Sequence, residues 1–101
     1  MKDVMLDFLI DNIEDEEKLK RFTIGRIISP KRNKDCITLA YRIGRECIID
    51  VAGLEIGKQL VVAYEDRSYF GGGIIKRIEH RDMFLWVTTQ HRIYRFDYLE
   101  V

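Results

Sequence analysis

The sequence predicts a mainly β fold of the α+β class, in which an N-terminal helix, or two short helices, packs on a small antiparallel barrel. The apolar residues before Phe22 follow helical spacing, whereas those after it alternate with a period of two. Turn residues separate the later runs, and no further helix lies between them. We therefore expect an SH3-like or curled meander barrel of about six to seven strands with antiparallel neighbours.

The first 21 residues form the predicted helical segment of a single 101-residue domain, and residues 22–101 form the predicted barrel. Pairs of opposite charge spaced four residues apart favour a helix. Asp11 and Asn12 could cap a second helix, so both one helix and two short ones remain open. The apolar face would consist of Met1, Val4, Met5, Phe8 and Leu9.

The barrel segment contains seven runs that alternate between apolar and polar residues or are rich in β-branched residues. Tyr94, Phe96 and Tyr98 share one face of the last run, and we assign them to the core. Gly44 and Arg45 form a predicted tight turn, and the stretch EDRSYFGG is expected to be a loop or a distorted edge. The runs are FTIGRII, CITLAYRI, ECIIDV, KQLVVAY, GIIKRIE, MFLWVTT and RIYRFDYLE.

Three consecutive glycines at residues 71–73 do not match a phosphate-binding loop. Lys76 has neither a glycine before it nor a serine or threonine after it, and G-x-G-x-x-G fails at its last position. Both motifs also require a following helix, whereas IIKRIEH favours a strand. We therefore interpret the glycines as a bend or bulge that lets a strand turn sharply.

Enzymatic and metal-binding functions find little support in the residue types present. The two serines and two histidines form no recognisable catalytic motif, and Cys36 and Cys47, with ten residues between them, have no partner pair nearby in the sequence. We expect two buried free thiols in a reducing cytoplasm, no cofactor, no metal and no catalytic residue. The N-terminus lacks a secretory pattern, and no apolar run is long enough to span a membrane.

The charges are sorted along the chain, although the net charge is zero. Residues 1–17 carry seven acids and one base, whereas residues 18–34 carry seven bases and no acid. Such sorting creates local fields that can select a partner, or it can simply solvate a helix and a loop. The leading hypothesis is a non-enzymatic protein-binding module, and its predicted contact residues are Glu14, Asp15, Glu16, Glu17, Arg67, Tyr69 and Phe70.

The alternative hypothesis is a barrel that binds a nucleotide or single-stranded nucleic acid. Small barrels bind single strands with basic loops and exposed aromatic side chains. The predicted contacts are Arg32, Lys34, Lys76 and Arg77. A second copy of the chain is a further candidate partner, because an open sheet edge at RSYFGG could pair with it.

The stretch from Ile74 to Glu100 resembles the closing strands of small proteins encoded by phages and mobile elements of Gram-positive bacteria. The motif V-x-T-x-N-x-x-Y-x-F of those proteins stands here as Val87, Thr89, His91, Tyr94 and Phe96, with histidine in place of asparagine. EIGKQLVV is similar to a strand entry common in such barrels. Several of those proteins are anti-defence factors, including anti-CRISPR proteins. The resemblance implies an inhibitor that binds a defence or nucleic-acid enzyme in the cytoplasm of a bacterial host.

Overall fold

Residues 19–99 of the computed structural model are described here, and they contain seven strands and two short 3-10 helices. The 3-10 helices are Ile37–Arg42, which we call the cap helix, and Val51–Gly53. The strands are β1 (Leu19–Ser29), β2 (Lys34–Asp35), β3 (Glu46–Asp50), β4 (Gln59–Ala63), β5 (Tyr69–His80), β6 (Phe84–Thr89) and β7 (Ile93–Tyr98).

Six of these strands form a closed antiparallel barrel, and the short β2 pairs with the end of β1 in addition. The strand order is β2-β1-β3-β4-β5-β6-β7, and β1 also pairs with β7. β1 can take part in three pairings because it is long: residues 19–23 pair with β3, residues 22–28 with β7, and residues 28–29 with β2. The expected small antiparallel barrel is thereby confirmed.

The predicted N-terminal helix lies outside the described residues over positions 1–18. Its predicted end at residue 21 is wrong, because Leu19 already begins β1 and pairs with Asp50. The pairing of residues 19–21 with β3 gives their backbone groups partners in the sheet. No helix in the described part of the chain is long and apolar enough to cross a membrane.

The core consists of the inward-facing residues of the six barrel strands. The Tyr94 and Phe96 rings stack with their centroids 5.7 Å apart, and the Phe22 ring meets Phe96 edge-on at 6.1 Å. Such aromatic geometries add to the stabilisation from burial. The predicted core position of Tyr94 and Phe96 is confirmed, and the half-buried Tyr98 packs against Phe22 at 4.6 Å.

The glycine triplet forms a β-bulge inside β5. Val61 pairs with Gly71 and Leu60 with Gly73, so Gly72 is the extra residue. Gly73 has a φ of +97°, which side-chain-bearing residues rarely adopt. At Gly72 a Cβ atom would lie 2.6 Å from the Leu60 Cδ2 atom and 3.1 Å from the Tyr94 Cε2 atom, so a side chain there would displace these core side chains. The predicted bend or bulge is confirmed.

The prediction of a strand over CITLAYRI is wrong, because Ile37–Arg42 is a 3-10 helix. β3 and β7 already pair with β1, and the described ladder leaves this segment no place within the closed barrel. The segment instead lies against the barrel, with its Cys36 amide donating to the Ile27 carbonyl at 2.8 Å. Leu39 packs against the core.

The predicted open edge at RSYFGG is paired on one side. A turn over residues 65–68 connects β4 to β5, and the Tyr64 amide closes it by donating to the Ser68 carbonyl at 2.8 Å. Tyr69 and Phe70 then pair with Ala63 and Val62. β4 therefore occupies one edge of this segment, whereas β6 pairs with β5 only from Ile75 onward, and pairing with a second copy stays a prediction.

Candidate binding surface

The cap helix and the residue after it expose three large apolar side chains. Ile37 is 86% exposed, Tyr41 63% and Ile43 42%. Ile37 and Ile43 share one side of the 3-10 helix and line the same groove, whereas Tyr41 lies on another side, next to Arg42. Single exposed apolar residues are common, but three within seven residues are a concentration of the kind found at interaction sites. We call Ile37, Tyr41 and Ile43 the cap surface.

The cap surface is held in place by Arg42, which reaches from the cap helix to the barrel. Its Nη1 atom donates to the Tyr64 hydroxyl at 2.9 Å, and its Cζ atom lies 4.2 Å from the Phe70 ring centroid. The same Cζ atom lies 5.0 Å from the ring of Tyr41. A cation above aromatic faces is attracted by the ring quadrupole, so these contacts stabilise one position of the cap helix.

Backbone hydrogen bonds attach both ends of the cap segment to β1. The Cys36 amide donates to the Ile27 carbonyl, and the Gly44 amide donates to the Ile24 carbonyl, each at 2.8 Å. Gly44 has a φ of +85°, as expected for the predicted tight turn at this position. A surface fixed at both ends loses little conformational entropy on binding.

A groove of about 290 Å³ separates the cap surface from the middle of β1, and Ile37, Ala40 and Ile43 line it. Arg26 and Asp35 form an ion pair at its rim, with the Arg26 Nη2 atom 3.0 Å from the Asp35 carboxylate. The groove is therefore apolar along the cap and polar only at the ion pair.

A second groove of about 490 Å³ lies on the other side of Ile37. Arg32, Lys34 and Arg92 line it, and Asp35 is its one acidic lining residue in the described part of the chain. We call it the basic groove. The hydroxyl-bearing and thiol residues that line it are Ser29, Cys36 and Thr38.

The two thiols of the chain have opposite environments. The Cys36 Sγ atom lies 3.4 Å from the Thr38 Oγ1 atom, and this hydrogen bond is the main cause that lowers the Cys36 pKa, with Arg92 contributing. Burial raises the pKa of Cys47 to about 12. The prediction of two buried free thiols is confirmed for Cys47, whereas Cys36 is a half-buried free thiol.

The predicted protein-contact residues fall in different places. Arg67 and Tyr69 are exposed at the β4–β5 turn, and Arg67 has a φ of +70°. Phe70 is half-buried, with its ring centroid 5.8 Å from Tyr64 and 6.0 Å from Tyr94. Its ring belongs to the barrel interior beneath the cap. The acidic residues Glu14, Asp15, Glu16 and Glu17 lie outside the described residues.

The predicted nucleic-acid contacts divide into two pairs. Arg32 and Lys34 both line the basic groove, where the structure adds Arg92. Lys76 and Arg77 lie on β5 and do not line that groove, and Arg77 forms an ion pair with Glu79. The structure thus brings together only the first pair.

Sequence reasoning missed the cap surface and left Arg92 out of the predicted contacts. The alternation in CITLAYRI predicts a strand with a buried face, and no local signal marks Ile37 or Ile43 as exposed. Only the pairing of β1 with both β3 and β7 shows that this segment lies outside the barrel ladder. The sequence shows Arg92 as a basic residue beside a predicted turn, but it does not show which residues lie next to Arg92 in the groove.

Comparison with protein-family models, with curated proteins and with solved structures yields no match to this chain.

Proposed function

We propose that the chain is a non-enzymatic protein-binding module that uses the cap surface as a contact. The observation that carries this proposal is the exposure of Ile37, Tyr41 and Ile43 on a segment fixed to the barrel. Interface cores are more apolar than the rest of the surface and enriched in aromatic residues, and a contact segment that is ordered beforehand loses less entropy on binding. Tyr41 and the two isoleucines, on a segment whose backbone is fixed to β1, suit such a core.

A protein suits the cap surface better than a nucleic acid does. Ile37 and Ile43 present aliphatic groups, whereas single-stranded nucleic acids bind through stacking on aromatic rings and through phosphate contacts. Tyr41 alone on the cap surface offers an aromatic face. The basic groove, which contains Arg32 and Lys34, favours the alternative of a nucleotide or single-stranded nucleic acid.

The charges next to the cap surface define the partner's chemistry. Arg32, Lys34 and Arg92 stand beside Ile37 in the basic groove, and the acidic Asp35 is engaged by Arg26. A complementary partner would therefore offer an apolar recess for Ile37 and Tyr41 with acidic side chains along one side. Complementary charge of this kind raises the association rate and excludes partners with the wrong charge.

The more specific form of the proposal is a phage or mobile-element inhibitor of a bacterial defence or nucleic-acid enzyme. The resemblance of the C-terminal strands supports it, as does the run Glu14, Asp15, Glu16 and Glu17, which could occupy a basic groove of such an enzyme. Arg67 and Tyr69 remain proposed contacts at the β4–β5 turn. The N-terminal helix and the SH3-like form of the barrel belong to this proposal.

A comparative capture experiment tests the cap surface. The tagged full-length chain, an Ile37→Asp/Tyr41→Asp variant and an Ile56→Asp control serve as baits in bacterial lysate. Ile56 is 65% exposed and lies outside the cap segment, which makes it a matched apolar control. We expect a protein that the native chain and the control retain and the double variant loses. Equal retention by all three baits would show that the cap surface is not the contact.

A second experiment separates the acidic contact from the nucleic-acid alternative. Reversing residues 14–17 to lysine should weaken capture of a basic partner most at low salt, because screening is then least. Unchanged capture at low salt would exclude a role for these acids. Tight binding of mixed single strands at low salt would favour the alternative function.

A further inference from the structure

We propose that the basic groove binds the phosphoryl group of a small organic ligand, which narrows the alternative function to small phosphate esters and is independent of the proposed protein contact. The groove's volume of about 490 Å³ falls in the range of small-molecule sites. It combines three cationic side chains with hydroxyl groups and one apolar wall.

The groove has an excess of positive charge that is not cancelled from within. Arg32, Lys34 and Arg92 line it, and its single acidic lining residue among positions 19–99 is Asp35. The Arg26 side chain engages that carboxylate, with its Nε atom at 3.1 Å and its Nη2 atom at 3.0 Å from Oδ1. The three cations therefore remain available to an anionic ligand.

Arg92 is positioned before any ligand arrives. The buried Thr89 hydroxyl accepts from the Arg92 amide and donates to the Arg92 carbonyl, each at 3.1 Å. The Arg92 Nη1 atom donates to the His91 carbonyl at 2.7 Å. These bonds fix both the backbone and one end of the guanidinium group, so that binding requires little reorganisation.

The Nε atom of Arg92 is buried and has no hydrogen-bond partner within the described part of the chain. This atom is closed to solvent, so a ligand oxygen reaches it only after the side chain shifts. The outer pair of guanidinium nitrogens also binds two oxygens of a phosphate or carboxylate. An oxyanion in the groove would therefore contact Arg92 through that outer pair.

The remaining lining residues suit a phosphate ester. Hydroxyl groups of Ser29 and Thr38 can donate to phosphoryl oxygens, and Ile37 offers an apolar wall for the organic part of the ligand. A phosphoryl dianion has three terminal oxygens and carries more negative charge than a carboxylate. It therefore suits a groove with three cations better than a carboxylate does. A continuous nucleic-acid strand fits less well, because Lys76 and Arg77 do not line the groove.

Titration of the full-length chain with phenyl phosphate tests the proposal. The Arg92 Nε–H resonance is followed by NMR at constant ionic strength, with sodium chloride and sodium acetate as reference anions. We expect saturable shifts with phenyl phosphate, binding at least tenfold weaker with acetate, and no saturation with chloride. Equal responses to the three anions would overturn the proposal.

Matched variants locate the site. The Arg32→Gln/Lys34→Gln pair should weaken phenyl phosphate at least tenfold, whereas the Lys76→Gln/Arg77→Gln pair should change it less than twofold. All four residues are exposed, so both variants should fold. Equal weakening by both pairs would indicate a general cationic surface and overturn the assignment. The free chain is used throughout, so failure here leaves the capture result at the cap surface to stand or fall separately.

Discussion

Cys36 shows how a single side chain reports on the basic groove. Its thiol accepts or donates a hydrogen bond with Thr38 and lies near enough to Arg92 for the guanidinium to favour the thiolate. The thiolate is the reactive form of cysteine. The chain should therefore react with alkylating reagents at Cys36 first, while the core residue Cys47 stays protected in the folded protein.

Replacing Thr38 with valine should raise the Cys36 pKa towards its ordinary value, because the main hydrogen bond that favours the thiolate is removed. We expect slower alkylation of Cys36 at neutral pH and a pH profile shifted upward, measured by mass spectrometry of the labelled chain. A variant that reacts as fast as the native chain would contradict the role of Thr38.

Cys47 should make the fold sensitive to alkaline pH. Burial raises its folded pKa to about 12 from an ordinary 9.0. A raised folded pKa stabilises the fold below pH 9, and that contribution is lost as pH rises from about 9 to about 12, because only the unfolded chain ionises easily. The Cys47→Ala variant should lose less unfolding free energy between pH 8 and pH 10.5 than the native chain in urea titrations. Parallel losses would contradict this account.

Gly73 should tolerate alanine poorly. Its φ of +97° disfavours a side chain, and an added Cβ would lie 3.2 Å from both the His91 ring and the Thr89 hydroxyl oxygen. Gly73→Ala should cost about 1–3 kcal/mol of unfolding free energy. Gly44→Ala is the control, since its φ is +85° but nothing lies within 4 Å of the added atom. A Gly73 variant less affected than the Gly44 variant would refute the crowding argument.

At the scale of elements, sequence pattern predicted the barrel strands well and the cap helix not at all. Alternation in FTIGRII and RIYRFDYLE reflects one face packed in the core, and both runs are strands. CITLAYRI has the same alternation, yet Ile37 and Tyr41 are exposed. Its conformation follows from long-range pairing of β1 with β3 and β7, which no local pattern contains. β2 was missed because its two residues are polar and exposed.

Arg42 should keep the cap helix in its folded conformation against the barrel. Replacing it with alanine removes the hydrogen bond to Tyr64 and the cation over Phe70, contacts each worth about 1 kcal/mol. We expect faster hydrogen exchange at the Leu39 and Ile43 amides, which bond within the cap segment, and little change in the barrel core. Arg32→Ala is the exposed-arginine control. Unchanged exchange in the Arg42 variant would show that backbone bonds alone hold the cap.

At the scale of the whole molecule, β1 stands between the acid-rich segment of residues 1–17 and the cap segment, which follows after β2. The cap segment bonds to β1 at Ile24 and Ile27, in the middle of the strand, and not at its far end. The basic groove could be predicted only in part, as Arg32 and Lys34, because Arg92 comes from the distant turn between β6 and β7 and the cap segment was expected to be a strand.

The central claim is that the cap surface binds a protein partner. The most direct test is to measure how tightly a partner captured in the lysate experiment binds the native chain and its variants. Calorimetry would compare the native chain with Tyr41→Ala and Ile56→Ala. Tyrosine is enriched among interface hot spots, each of which contributes about 2 kcal/mol or more. We predict that Tyr41→Ala weakens binding by about 30-fold or more, while Ile56→Ala binds like the native chain. Equal affinity of all three proteins would contradict the claim.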